Sequence, residues 1–467
     1  MERLIKIGKV EPKSSNEIKY SRIGIGFEKL DRNIHDPEMA YDKMAETGIK
    51  WARLQSGWQR TESEKGVYHF EWLDSVVDNL LARGIEPWMD LCYGNGIYSE
   101  AAAEEFGGVG VPPIEDGEYK DAWVKYCTEI ARHYRGKVTY YEVWNEPDGP
   151  WCWKHGPSGT EYGKFVIETA KAIKAGDPDA KIIGGSVCMA TTGFTAAALE
   201  AGMGDYIDAL TYHEYLCNEQ RVPYRVRSLR GLLDLYNPNI KIIQGESGSQ
   251  SRSDGRGALR RGAWTETKQA KQLLRHTMVD LASEVEFLSY YACTDMIESL
   301  EVKTSEADMY KEYGYFGILG VQFDENGEPL KEYRRKKSFY ALQNVCALFS
   351  EDVRVATGLP IIMIPRWSDR IDAKDDDNHE TTSICFKRGD GKWAYVYWKP
   401  SNIMTGDYEG TATIHFSALK DRPHLVDLMD GSIYEIPDSM IEPHRLGGYY
   451  IVNLPIKDYP MALTNFV

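Results

Sequence analysis

Glu146 and Glu246 each stand at the end of a short β-type run. The first run is Tyr140-Tyr141-Glu142-Val143-Trp144-Asn145-Glu146-Pro147, and the second is Lys241-Ile242-Ile243-Gln244-Gly245-Glu246-Ser247-Gly248. Two carboxyl groups facing each other across one pocket can break a glycosidic bond. The protonated one donates to the leaving oxygen, and the ionised one attacks the anomeric carbon. That division of labour needs two different surroundings, burial for the acid and hydrogen-bond donors for the nucleophile. Trp151 and Trp153 follow Glu146 closely and could stack on a sugar face or anchor the loop that carries them. Glu142, Glu214 and Glu298 are further carboxylates, expected to be solvated or ion-paired.

Such a pair needs a scaffold that brings distant segments to one rim. Eight β-type runs separated by helix-length stretches supply it: Ile23–Phe27, Lys50–Leu54, Ile85–Cys92, Val138–Trp144, Lys181–Gly185, Ala209–His213, Lys241–Gly245 and Glu286–Ala292. This alternation predicts a closed parallel (β/α)8 barrel over residues 20–348, whose strand C-termini hold the functional side chains. Glu146 and Glu246 then follow the fourth and seventh strands on the same rim. Punctuation agrees with this reading. Asp36-Pro37 opens a helix over Glu38–Thr47 and Gly48 stops it. Trp72, Val76, Val77, Leu80 and Leu81 form an apolar stripe ending at Gly84. Helices are also expected over Thr160–Ala175, Thr267–Ser283 and Lys337–Leu348.

Over residues 349–467 short alternating runs replace the helices: Thr382–Phe386, Trp393–Trp398, Thr411–Phe416, Leu425–Leu428, Tyr449–Leu454 and Ala462–Phe466. With turn signals at Gly389-Asp390-Gly391 and Asp430-Gly431 they predict an appended antiparallel β-sandwich. The alternating stretch within residues 1–12 could add a strand to it. Lys374-Asp375-Asp376-Asp377-Asn378 reads as a solvated loop.

Composition narrows the partners. Acidic residues outnumber basic ones 71 to 55, a net charge of −16 that disfavours nucleic acid and anionic membrane surfaces. No apolar run reaches the roughly 20 residues that span a bilayer. Aromatics make up 12% of the chain, with 30 Tyr and 12 Trp, which suits sugar stacking as well as a large core. The eight cysteines are scattered and read as free thiols; with no apolar leader in Met1–Lys6, a cytoplasmic protein is expected. No clustered Cys/His spacing and no Gly-rich phosphate loop appears, so neither metal nor cofactor is expected. Association with further copies of the chain is left open.

Asn145-Glu146-Pro147 after strand four, together with Glu246 ending strand seven, resembles the clan A glycoside hydrolases. Val143-Trp144-Asn145-Glu146-Pro147-Asp148 is most similar to family 39, the β-xylosidase and α-L-iduronidase group. The resemblance implies retaining hydrolysis by double displacement, with Glu146 as acid/base and Glu246 as nucleophile. It implies that Arg53, ending strand two, lies near the nucleophile, and that Asn145 meets the sugar 2-hydroxyl. It also implies that Tyr215 contacts the nucleophile and that His213 lies near the acid/base. Trp151 and Tyr291 join these as substrate-binding candidates. The chain departs from the clan at strand eight, where Tyr290-Tyr291-Ala292-Cys293 replaces the usual tryptophan, and after strand three, where Cys92-Tyr93-Gly94-Asn95 lacks a histidine. The expected substrate is a carbohydrate of the β-xyloside type. A β-galactosidase, β-glucosidase, arabinosidase, uronidase or inactive glycan-binding barrel stays open. Four arginines, Arg252, Arg256, Arg260 and Arg261, follow Glu246 and would suit an acidic sugar, a subunit contact or plain solvation.

Overall fold

The computed structural model describes residues 4–188, 192–298, 312–324, 329–366, 380–418 and 421–467. Lys374–Asn378 lies outside them. Eight strands pair in parallel in chain order: β2 (Ile23–Gly26), β3 (Trp51–Gln55), β4 (Glu86–Leu91), β5 (Tyr140–Val143), β6 (Lys181–Val187), β7 (Ala209–Glu214), β8 (Lys241–Ser247) and β9 (Leu288–Tyr290). Strand β9 closes onto β2, with Ile25 opposite Tyr290. This is a (β/α)8 barrel.

Large side chains fill its lower end. Trp88, Ile183, Ile243 and Phe287 form a dry layer, and Trp51 stacks on Phe287 at 4.3 Å between ring centroids. Above that floor the interior turns polar. The outer helices bury one stripe each. In the helix Glu71–Ala82 the stripe is Leu73, Val76, Val77 and Leu80, each side chain contributing roughly 1.5–3 kcal/mol by leaving water. Trp72 and Leu81, expected in that stripe, are half-buried at its flanks. Gly48 takes a left-handed φ of 84° to end the helix Tyr41–Thr47, a conformation that favours glycine.

Among the described residues the C-terminal region forms two antiparallel sheets, of seven and four strands. Strand Trp393–Trp398 shows how they stack. Trp393, Tyr395 and Tyr397 face the second sheet, while Ala394, Val396 and Trp398 pack on the barrel, so every residue of the strand is buried. Strand β1 (Ile5–Lys9) joins the larger sheet by pairing with Ser432–Glu435. Strands Ile361–Arg366, Ser432–Glu435 and Ile441–Pro443 add to the expected set. Among the described residues no helix is long and apolar enough to cross a membrane.

Candidate active site

Glu146 follows β5, and Glu246 is the penultimate residue of β8, so both open on the C-terminal rim of the barrel. Arg53 rises from β3 between them and is fully buried. Its fork is used completely. Nε donates to Glu142 Oε2 at 2.7 Å, Nη1 to Glu246 Oε1 at 2.5 Å, and Nη2 to Asn145 Oδ1 at 2.9 Å. Asp90 lies 3.3 Å from Nη2, and Glu28 accepts from Nη1 at 3.5 Å. One guanidinium therefore faces four buried carboxylates.

A single positive charge cannot keep four buried negative ones ionised, and the groups divide accordingly. Burial would raise the Glu142 carboxyl, but Arg53 and the Ser186 hydroxyl outweigh it and hold it down at about 2. Thr211 Oγ1 and Trp88 Nε1 also donate to Glu142, at 2.7 and 3.1 Å. Burial, then the charge of Glu246, pushes Glu28 up to about 8, and burial carries Asp90 to about 7. Glu28 Oε2 and Asp90 Oδ1 have no hydrogen-bond partner among the described residues, as suits carboxyls that keep a proton.

The two rim glutamates are held differently. Glu246 receives Arg53 on Oε1 and the Tyr215 hydroxyl on Oε2, the latter at 2.6 Å. Glu146 receives Trp151 Nε1 on Oε2 at 2.5 Å, and His213 Nδ1 stands 3.0 Å from its Oε1. The same Nδ1 is 3.6 Å from Glu246 Oε2, so the imidazole lies between the two carboxylates. Burial pulls its basicity down, but Glu246 and the bond to Glu146 outweigh that and leave it raised. The turn that presents Glu146 is strained: Trp144 and Glu146 have φ of 66° and 47°. Non-glycine residues held there cost on the order of 1–3 kcal/mol each. Trp144 Nε1 donating to Cys152 O at 2.7 Å and Gly149 N donating to Glu146 O at 3.0 Å keep the turn in place.

The structure thus brings Glu146, Glu246, Arg53, Asn145, His213, Tyr215 and Trp151 into one network. Tyr291 sits at its edge, edge-on to Tyr215 at 6.2 Å and to Phe316 at 5.2 Å. Gly248 has room for no side chain, because a Cβ would lie 2.3 Å from Tyr291 O. Trp153 is a loop anchor, fully buried against Trp144, Tyr162 and Phe165. Glu298 pairs with Lys29 at 2.9 Å, and Glu214 pairs with Arg225. In the arginine-rich loop Arg252 pairs with Asp254 and Arg256 with Glu312. Those two forks already hold carboxylates of the chain itself.

Sequence reasoning missed Glu28 and Asp90. Their signal was the one that marked Glu246, a carboxylate in or just after a barrel strand. Glu146, His213 and Glu246 offer ligand atoms all within 4.8 Å of one another, a set a divalent cation could also use. The guanidinium on Glu246 opposes a second positive charge there.

Residues 39–218 match the model of glycosyl hydrolases family 39. A β-xylosidase of Geobacillus stearothermophilus is 27% identical over 164 residues, which is 34% of this chain and 29% of that protein. Endo-1,4-β-xylanase C of Phanerodontia chrysosporium is 27% identical over 135 residues, 27% of this chain and 30% of the relative. The chain therefore spans less than a third of the length of these curated relatives. Among solved structures, a family 39 glycoside hydrolase from Bacteroides cellulosilyticus WH2 shares the fold with a TM-score of 0.65. That match has 16% identity and covers 95% of this chain and 81% of that one. The matched segment carries β3 to β7 with Arg53, Asn145, Glu146, His213 and Tyr215, while Glu246 lies beyond it. By this segment and by its barrel, the chain resembles family 39 of the clan A glycoside hydrolases.

Proposed function

We propose that the chain is a retaining glycoside hydrolase acting on β-xylosides. The observation that carries the reading is the close approach of the two rim carboxylates: one oxygen of each lies within 4.8 Å of one oxygen of the other, with His213 Nδ1 between them. Retaining enzymes set their carboxyl groups about 5–5.5 Å apart, and inverting ones roughly 6.5–9.5 Å to admit a water. The β-xyloside class comes from the named relatives, a β-xylosidase and an endo-1,4-β-xylanase.

In the first step Glu246 attacks the anomeric carbon while Glu146 gives its proton to the departing oxygen. The carbon–oxygen bond breaks, and an ester to Glu246 forms. Arg53 and Tyr215 hold one carboxylate oxygen each, which aims the nucleophile. In the second step Glu146 takes a proton from water, the water oxygen attacks the same carbon, and Glu246 leaves. Asn145, fixed by Arg53 Nη2, is assigned to the sugar 2-hydroxyl.

Proton NMR of an aryl β-xyloside digest tests this. The β-anomer of xylose should appear first and mutarotate later; the α-anomer appearing first would sink retention. Glu246→Gly should be inactive and should form α-xylosyl azide when azide is added. Hydrolysis of galactosides, arabinosides or uronides in preference to xylosides would overturn the substrate class alone.

A further inference from the structure

Tyr215 lies on the loop after β7, and that loop buries little of itself. Leu216 and Cys217 are half-buried and Asn218 is exposed, with no regular structure between Tyr215 and Asn218. Its position therefore depends on what grips it. The helix Glu266–Ala282 holds the near end: Gln272 Nε2 and His276 Nε2 both donate to Leu216 O, at 3.2 and 3.1 Å. The sandwich holds the far end. Trp398 Nε1 donates to Glu219 Oε1 at 2.9 Å, and Gln220 Nε2 donates to Thr382 Oγ1 at 3.2 Å. Glu219 Oε2 also meets Arg275 Nη2 at 2.8 Å, and Arg275 Nη1 donates to Ser401 O at 2.8 Å. Trp398, Glu219 and Arg275 are all buried, at 0%, 1% and 1% exposure.

Simple adhesion does not call for this arrangement. The face that packs on the barrel already offers Val396, Val426, Leu428 and Ala462. Burying a carboxylate and a guanidinium costs several kcal/mol of desolvation per ion, which the pair often fails to recover. What the polar cluster adds is direction: it fixes one geometry where apolar contact tolerates many. The fixed segment begins one residue after the tyrosine that touches Glu246.

We propose that the sandwich positions the catalytic centre, with Trp398 and Glu219 as positioning residues that set Tyr215 against Glu246. This rests on the reading of Glu246 as the nucleophile. The experiment uses the full chain with Trp398→Phe, Tyr215→Phe, their combination, and Asp458→Asn as control. Asp458 pairs with Lys271 across the same interface at 2.6 Å without touching the loop. Trp398→Phe should lower kcat on an aryl xyloside about 10-fold with little change in KM, short of the roughly 100-fold that a 1 Å misplacement costs. The double variant should be no slower than Tyr215→Phe alone, since both act through one contact. Asp458→Asn should lower Tm and leave kcat alone. Wild-type kcat in Trp398→Phe, or independent multiplication in the double variant, overturns the proposal. Should Trp398→Phe not fold, Glu219→Gln keeps the indole bond and drops the pairing with Arg275, and a smaller kcat loss without change in KM is required of it. A wild-type chain inert on every aryl glycoside would defeat the hydrolase reading instead. The proposal then stands or falls on amide hydrogen exchange, which Trp398→Phe must speed across residues 215–217 more than Asp458→Asn does.

Discussion

Arg53 and Glu142 meet at 2.7 Å with both side chains fully buried, and this contact sets where the rest of the guanidinium points. With Nε spent on Glu142, Nη1 and Nη2 are left for Glu246 and Asn145. Arg53 keeps Glu246, Asp90 and Glu28 when Glu142 is lost, so what is removed is the carboxylate that it holds furthest down. Glu142→Gln should therefore cost about 3 kcal/mol of stability at pH 7, read from urea unfolding. The sign with pH follows from a carboxyl held at about 2. Its contribution is complete above the ordinary carboxylate range and fades as pH falls toward 2, so the variant and the wild type should converge in acid. An unchanged urea midpoint at pH 7 would refute the pairing.

Glu28 should behave in the opposite way. Burial and Glu246 raise it from 4.5 to about 8, so the folded chain holds its proton where the unfolded chain has lost it. A raised acid costs nothing below the unfolded value and costs progressively more between about 4.5 and 8. Glu28→Gln removes a group that would otherwise have to take up a proton on folding. Its stability advantage over the wild type should grow from pH 5 to pH 8, measured by Tm at each pH. A wild type that gains on the variant across that range would contradict the assignment.

Trp151 Nε1 donates a hydrogen bond to Oε2 of Glu146, the group assigned to protonate the leaving oxygen. Trp151→Phe keeps the ring and deletes the donor. Loss should reach about 10-fold in kcat/KM for an alkyl xyloside, whose leaving group needs the proton, given that acid catalysis is worth roughly 100- to 10,000-fold in all. A dinitrophenyl xyloside should be nearly unaffected. Equal losses on both substrates would assign Trp151 to sugar binding instead.

The close set of Glu146, His213 and Glu246 permits a simple control. Activity should survive dialysis against a chelator, because the mechanism asks both carboxylates to react directly. Loss with chelator and recovery with a divalent cation would replace the double displacement.

The rim was legible in the sequence because a barrel strand places its C-terminal polar residues at the working end. Gly245-Glu246 carried that signal openly, while His213 and Tyr215 in Tyr212-His213-Glu214-Tyr215 stood out only through the family resemblance. Glu28 and Asp90 carried it too, but only the strand's radial direction shows which carboxylates turn inward upon Arg53. The bond from Trp151 to Glu146 was hidden by the left-handed turn at Trp144 and Glu146, which folds the loop back on itself. Trp151 and Trp153 look equivalent in the sequence; one faces Glu146 and the other fills the core beside Phe165. In the sandwich, Pro360 and Pro365 disguise the strand Ile361–Arg366 as a break, since proline removes a ladder donor.

The pairing of β1 with Ser432–Glu435 makes the sandwich a domain assembled from both ends of the described chain, with the barrel threaded between them. Ribosomal synthesis delivers Ile5–Lys9 before the barrel and its partner after it. That edge stays unsatisfied until the barrel has emerged, a long-range closure of the kind that slows folding and exposes strands to aggregation. A fragment ending after the helix Lys337–Phe349 would keep β1 with nothing to pair against. Dissecting the two units would therefore take two cuts, one on each side of the barrel.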